Sequence, residues 1–470
     1  MGVLTVVALV LIGYGLATRR YDRALALSGV TSAGAVAVVG PIAVPTFYAV
    51  ALGLVVVLGS RYFLGGAARG RASLGAVPGA GLFLAFFAWA VLVTLVAPML
   101  FPGLDTVTPA DAELVAGYLT TSNIAQILYL ALSIGVVLIF AHTVGAGPQT
   151  LGLMFTVAML LSLWRYLGIN FGVPFPYGVF DNSPGFEYIE TSPDGTSRFR
   201  GIHPEPAALA GMALAAAVYS VSRAVQVRGL WRVGNLVIAG IAIFLGIIST
   251  STSFVVIGAV MLGLSAAFVV GRFASRRTGW SLPVVYVVLA LVVASVWLVP
   301  VTYEYLHEVL TDKVASDSYG QRSGSDANSY LVFLDTYGFG VGLGSARASS
   351  FLATLLSATG YVGALLFAAA IFAVARPASR IHAAQPVMWV LVVVLLTKLL
   401  SGPDVTSTSG VLWMTLGVLV SMVLADRRAK GEASSGPGSS AQGAEFAHDG
   451  VGAGRPAAGA DSLHDLTQGD

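Results

Sequence analysis

Long, uninterrupted apolar segments recur along most of this 470-residue chain, and they constrain its fold more than any other feature. A segment of about 20 apolar residues is long enough to cross the hydrocarbon core of a bilayer as a helix. Only α-helices and closed β-barrels satisfy every backbone hydrogen bond within lipid, and barrel strands would alternate apolar with polar residues. Because the segments here are continuous, the sequence predicts an all-α, polytopic transmembrane helical bundle.

The boundaries of the apolar segments predict about 12–13 membrane spans. The turn Gly40-Pro41 divides the second predicted span from the third within an almost unbroken apolar stretch. The predicted spans are 3–17, 24–40, 44–63, 80–100, 114–141, 149–167, 204–222, 233–249, 253–270, 282–301, 350–375, 386–400 and 410–425.

The composition supports a membrane protein and argues against other classes. Hydrophobic residues make up 56% of the chain, charged residues only 10%, and the mean hydropathy is +0.83. A water-soluble globule would carry far more charge. The net charge of +2 says little about partners. No basic stripe interleaved with aromatic residues suggests a nucleic-acid partner. The chain has no cysteine, so neither disulfides nor thiolate metal sites can form.

The distribution of arginine predicts the orientation, because cytoplasmic loops carry an excess of Lys and Arg. It places the C-terminus in the cytoplasm and two long loops, 168–203 and 302–349, on the extracytoplasmic side. We expect residues 1–430 to form the transmembrane domain. Residues 431–470, rich in Gly, Ala and Ser, should form a disordered cytoplasmic tail. The basic residues assigned to the cytoplasmic side are Arg19, Arg20, Arg23, Arg61, Arg69, Arg71, Arg223, Arg228, Arg232, Arg272, Arg276, Arg277, Arg376, Arg380, Arg427, Arg428 and Lys430.

A cluster of charged residues ends the first long loop, where a polar segment turns into an apolar helix. It contains Arg198, Arg200, His203 and Glu205, and Pro206 suits the first turn of the helix that follows. Unpaired backbone N–H groups at a helix start, together with arginines, form a site for an anion such as a diphosphate. The alternative is structural: Arg200 pairs with Glu205 while the prolines shape the helix start.

The same cluster carries a resemblance to a known family. Residues 198–210 are similar to the Arg-x-x-Gly-x-x-x-Glu-Pro-x-x-x-Ala pattern of the O-antigen ligase and oligosaccharide repeat-unit polymerase family, especially its exopolysaccharide-polymerase branch. A second block, residues 338–345 with Arg347 and then 360–363, resembles the Gly-rich end of that family's large outer loop and the span after it. The two blocks stand in the order that the family shows, on the same predicted side of the membrane.

The resemblance covers about residues 150–425 in layout. In one respect the chain departs from the ligase branch, since Ala348-Ser349-Ser350 replaces the His-Asn pair that often follows the Gly-rich loop there. This difference favours a polymerase over a ligase.

The resemblance implies a glycosyltransferase in the bacterial plasma membrane that works in cell-surface polysaccharide biosynthesis. Such an enzyme transfers a glycan from a polyprenyl-diphosphate carrier to an acceptor hydroxyl at the outer face, without a nucleotide sugar. The implied partners are the lipid-linked donor, the glycan acceptor, membrane lipid and other polysaccharide-assembly proteins. We expect no cofactor and no metal.

The chemistry of this transfer selects the candidate site residues. Charge that develops on the diphosphate leaving group needs nearby cations, which arginine supplies without a metal. The candidates for this role are Arg198, Arg200, Arg322 and Arg347. The acceptor hydroxyl needs a base, and the candidates are Glu205, which we prefer because it lies at the positive end of a helix, His203 and Asp326.

Two further observations leave alternatives open. Lys398 lies inside a predicted span near its outer end, and it or Asp404 could serve the carrier lipid instead of only snorkelling to the interface. A transporter or flippase for a lipid-linked or small polar solute is the rival class of function. A transporter would be expected to place ionisable residues near the midplane of its spans, where Lys398 is almost the only candidate.

Overall fold

The chain is predominantly helical, with one two-stranded sheet, wherever a computed structural model describes it. It divides into two units, residues 1–424 and 425–470. The second predicted domain, the tail, lies outside the described residues from residue 435 onward. The described residues are 2–39, 42–64, 74–106, 113–143, 145–183, 188, 190, 198–275, 317–402 and 404–434.

The helices follow most of the predicted spans to within a few residues. The predicted span 282–301 lies outside the described residues, and part of the second long loop proves to be helical. The helices are α1 (Val3–Thr18), α2 (Tyr21–Ser28), α3 (Thr46–Leu64), α4 (Ala80–Leu100), α5 (Thr121–His142), α6 (Pro148–Phe171), α7 (Tyr177–Phe180), α8 (Pro206–Gln226), α9 (Leu230–Ile248), α10 (Thr252–Ser275), α11 (Asp317–Asp335), α12 (Phe351–Ala378), α13 (Gln385–Ser401) and α14 (Val411–Ser434).

Seven of the described helices are long and apolar enough to cross a membrane: α4, α5, α6, α8, α9, α12 and α13, the last extended by the turn from His382. Val3–Thr18, Thr46–Ser60 and Thr252–Phe268 are shorter apolar helices. The prediction of an all-α, multi-pass membrane protein is therefore confirmed at the level of its architecture.

The predicted span 24–40 is wrong. Helix α2 ends at Ser28, and strand β1 (Ala35–Val39) pairs antiparallel with strand β2 (Ile42–Pro45), with Val38 opposite Ala43. The segment is apolar, but its repeated β-branched valines favour extended backbone, and the glycines that precede them interrupt a helix. Hydrophobicity alone does not distinguish an apolar hairpin from a span.

Helix α14 lies in the centre of the first unit up to residue 424. Leu412, Trp413 and Met414 have no exposed surface, and neither do Leu416 and Leu419. A helix that is apolar on all sides is buried in protein or in lipid, and here the protein covers these residues of α14. Its first residues therefore fix one wall of the site described below.

Helix α12 is broken in the middle at Gly360, whose backbone adopts φ 65° and ψ −170°. The break releases carbonyl groups in apolar surroundings, where unpaired backbone groups are costly. The Gly-rich segment 338–345 supplies their donors, since Val341 N donates to Ser357 O at 2.8 Å and Gly342 N to Ala358 O at 3.0 Å. The two parts of the second sequence block thus meet in space.

Candidate functional site

One cavity of about 630 Å³ opens between the start of α8, the end of α13, the segment 404–410 and the start of α14. Its charged lining comes from three distant parts of the chain: Glu205, Arg347, and the neighbouring Lys398 and Asp404. Hydroxyl groups of Ser407, Thr408 and Ser409 add neutral polar surface, and Ala207, Ala208, Gly211, Met212, Val394 and Leu412 form much of the apolar part.

Glu205 is the N-cap residue of α8 and lies between Pro204 and Pro206. Its backbone carbonyl accepts from Leu209 N at 3.2 Å, but its side chain makes no capping bond. No described residue forms an ion pair with its carboxylate. A half-buried carboxylate that faces a cavity beside a helix N-terminus is available to a ligand.

Arg347 brings a cation to the cavity from the end of the Gly-rich segment. Its side chain is 57% exposed, and Nη2 lies 3.2 Å from Asp404 Oδ2. Surface ion pairs of this kind contribute little to stability, so the guanidinium group remains available for exchange with another anion.

Asp326 on α11 holds the loop that carries Arg347. Its Oδ1 accepts hydrogen bonds from Ser349 N at 2.7 Å and Ser350 N at 2.9 Å. These bonds engage one carboxylate oxygen at the start of α12. Asp326 does not line the cavity, and its contacts are those of a loop anchor.

Lys398 adds a second cation, from within helix α13. Only 8% of it is exposed, its Nζ donates to the backbone carbonyl of Asp404, and it lies 5.3 Å from the centre of the Phe351 ring. An ammonium group this deeply buried in an apolar helix is costly and has few protein partners here. Lys398 is the second basic residue of the cavity lining.

Arg200 lies outside the cavity lining, and its side chain is 3% exposed. Its Nη1 and Nη2 donate to Asp181 at 3.0 and 2.6 Å, and its Nε donates to Glu190 at 2.9 Å. Its Nη1 also donates to the carbonyl of His203 at 2.8 Å. The alternative structural pair with Glu205 does not form, and Arg200 contacts two other carboxylates instead.

The same two carboxylates bind a second buried arginine, Arg165 on α6. Its Nη1 lies 2.9 Å from Asp181 Oδ2 and its Nη2 lies 2.7 Å from Glu190 Oε1. We call Arg165, Asp181, Glu190 and Arg200 the four-charge network. Two cations and two anions balance in it, as buried charges require.

His203 packs beside this network and is 1% exposed. Its Nδ1 lies 2.8 Å from Ser32 Oγ, while its Nε2 has no hydrogen-bond partner among the described residues. Burial, followed by the charge of Arg200, lowers the pKa of His203 to about 4. The imidazole is therefore neutral at neutral pH, and it does not line the cavity.

Arg198 does not line the cavity. The Nη2 of Arg198 lies 3.5 Å from the carbonyl of Thr250. The backbone of Arg322 belongs to α11, but its side chain lies outside the described residues. Of the residues singled out in the sequence, the structure thus brings Glu205 and Arg347 together, with Lys398 and Asp404 beside them.

Sequence reasoning missed Arg165, Asp181 and Glu190. Arg165 had a usable signal, because it is the one charged residue in the predicted span 149–167 and an intramembrane charge is seldom without a role. Asp181 and Glu190 had none, since isolated acids in a polar loop resemble any solvated acid.

No protein-family model and no curated protein matches this chain. Across the described ranges, no group of three or more His, Asp or Glu side chains is arranged to hold a metal ion.

Proposed function

We propose that the protein is an integral-membrane glycosyltransferase that polymerises, or ligates, polyprenyl-diphosphate-linked oligosaccharides. It would work at the outer face of a bacterial plasma membrane. It would belong to the O-antigen ligase and repeat-unit polymerase family. The supporting observation is that Glu205 and Arg347, which are far apart in the sequence, line one cavity together with Lys398.

The cavity offers what the transfer requires. The acceptor oxygen attacks the anomeric carbon of the donor sugar, and the bond between that carbon and the phosphate oxygen breaks. The diphosphate leaves with the electron pair, and the hydroxyl proton passes to Glu205. Arg347 and Lys398 lie where they could stabilise the negative charge that develops on the diphosphate, as do the helix N-termini at Ala207 and Val411.

The proposal assigns the phosphate role differently from the sequence expectation. Four hydrogen bonds already engage the guanidinium group of Arg200, which has five N–H donors. Arg347 and Lys398 therefore replace Arg200 as the cations for the diphosphate. Asp404, the present partner of Arg347, would give up that contact to the ligand.

Purified protein in liposomes, supplied with lipid-linked repeat units, tests the proposal. We expect Glu205→Gln and Arg347→Ala each to lower the rate of glycan lengthening by about 100-fold or more, as loss of a base or of a charge-stabilising group does. The exposed Arg228→Ala serves as a control that leaves the rate unchanged. Full activity of Glu205→Gln, or no lengthening by the unaltered protein, contradicts the proposal.

One observation favours a second candidate function, transport of a lipid-linked or small polar solute. Lys398 is a buried cation inside an apolar helix, as expected for a residue on a transport path. The same liposomes separate the two functions, because a transporter would move solute without lengthening the glycan.

A further inference from the structure

The four-charge network does not line the cavity. Its member Arg200 nevertheless begins a turn that ends at His203, two residues before Glu205. We propose that this network is a positioning element that fixes the backbone from which the Glu205 carboxylate extends, and that Arg165 influences glycan transfer only through Glu205. The inference rests on the proposed function, in which Glu205 is the base.

The first link is the turn from Arg200 to His203, which two hydrogen bonds between these residues close. His203 N donates to Arg200 O at 3.1 Å, and the Arg200 side chain returns to donate to His203 O at 2.8 Å. Between them Gly201 has φ +56°, and a Cβ there would lie 2.6 Å from Ser162 Oγ. The turn is thus closed twice and lies directly against α6.

The second link is the face of α6 that holds this turn. Ser162 and Arg165 are three residues apart, so they share one face of the helix. Ser162 Oγ accepts from Ile202 N at 3.4 Å, while Arg165 binds Asp181 and Glu190, the carboxylates that also bind Arg200. One face of α6 therefore holds the turn in two ways. Ser162 binds the backbone of the turn, and Arg165 shares two carboxylates with the side chain of Arg200.

The third link is the short connection from the turn to the carboxylate. Pro204 and Pro206 fix their own φ angles, and each also restricts the residue before it, His203 and Glu205. Few rotations remain in this segment to absorb a shift. Any displacement of the turn is passed on to Glu205.

This connection predicts a kinetic signature for Arg165→Lys, which keeps the charge but lacks the two-pronged geometry of arginine. A displacement of about 1 Å in a reacting group can lower a rate by about 100-fold. We expect the lengthening rate at saturating donor to fall by about 10-fold or more, with the KM for the lipid-linked donor changed by less than about 2-fold.

A double-mutant cycle in the liposome assay tests whether Arg165 acts through Glu205. We expect Arg165→Lys to lower the rate in the unaltered protein and to add less than about a 2-fold loss in the Glu205→Gln background. An equal fold loss in both backgrounds overturns the inference. The exposed Arg228→Lys, at the other end of α8, is the matched control. If Arg165→Lys does not fold, Glu190→Gln, whose side chain is 52% exposed, replaces it in the same cycle.

The outcomes separate the two proposals. Full activity of Glu205→Gln overturns the proposed function, whereas a loss in Glu205→Gln combined with an independent loss in Arg165→Lys overturns only the positioning role.

A second experiment does not depend on transferase activity. Because the chain has no cysteine, Glu205→Cys gives a protein with a single thiol. We expect Arg165→Lys to change the labelling rate of that thiol and not that of Thr408→Cys, which lines the cavity from the segment before α14. An unchanged rate at position 205 overturns the inference.

Discussion

The buried imidazole of His203 makes the folding stability of the protein depend on pH. Its pKa in the folded protein is about 4, against about 6.5 for an exposed histidine. The unfolded chain therefore binds the proton more readily, and stability falls as the pH decreases from about 6.5 towards 4. Above about pH 6.5 the residue is neutral in both states and makes no pH-dependent contribution.

We therefore expect His203→Gln to remove part of the acid sensitivity of the protein. The histidine alone should cost about 2 kcal/mol of unfolding free energy at pH 5 relative to pH 7.5. Thermal unfolding in detergent at the two pH values checks this. The difference between the two midpoints should be smaller in His203→Gln than in the unaltered protein, and identical pH shifts would show that His203 is not buried as a neutral group.

The amino-acid sequence alone predicted only part of the candidate site. The sequence placed Glu205 at a helix start and Arg347 after a Gly-rich segment, and both line the cavity. It could not tell which arginines already have partners, because that depends on where distant carboxylates come to lie. Arg200 and Arg347 look alike in the sequence, but one is 3% exposed and the other 57%.

Among the elements, the broken helix α12 has the strongest backbone requirement. Gly360 adopts a conformation that is essentially restricted to glycine, and a Cβ there would overlap the carbonyl oxygens of Gly338 and Phe339. The Gly-rich segment thus lies so close to α12 that only glycine, which has no Cβ, fits at position 360. The loop that carries Arg347 depends on this contact.

We expect Gly360→Ala to destabilise the protein by at least about 1–3 kcal/mol, because the backbone strain adds to the steric overlap. Midpoints of thermal unfolding in detergent measure the effect. Gly263→Ala on α10 is the matched control, since a Cβ there meets no neighbouring atom and alanine favours a helix. Equal midpoints for the two variants would show that α12 is not broken at Gly360.

The elements also show how far hydrophobicity predicts a membrane fold. The predicted span 80–100 coincides with α4, and most other predicted spans lie within a few residues of a helix. The error at 24–40 has a local cause, because β1 and β2 are as apolar as a span but rich in valine. The break in α12 was also not predicted, since a single glycine in an apolar run is common in membrane helices.

At the scale of the whole molecule, the bundle brings together parts of the chain that have no contact in the sequence. The starts of α8 and α14, the end of α13 and the loop before α12 enclose one cavity. Its lining combines charged with apolar residues, as the binding of an amphiphile with an anionic head requires. The sidedness of the membrane and the cytoplasmic location of the tail remain predictions from the arginine distribution.

The affinity of the detergent-solubilised protein for a polyprenyl diphosphate tests the central claim most directly. If Arg347 and Lys398 hold the diphosphate, Arg347→Ala and Lys398→Ala should each weaken binding by about 10-fold or more, since a charge-assisted hydrogen bond contributes about 1.5–3 kcal/mol. The corresponding polyprenol, which lacks phosphate, should bind all three proteins alike, and Arg228→Ala should match the unaltered protein. Equal affinity of all variants for the diphosphate would contradict the account.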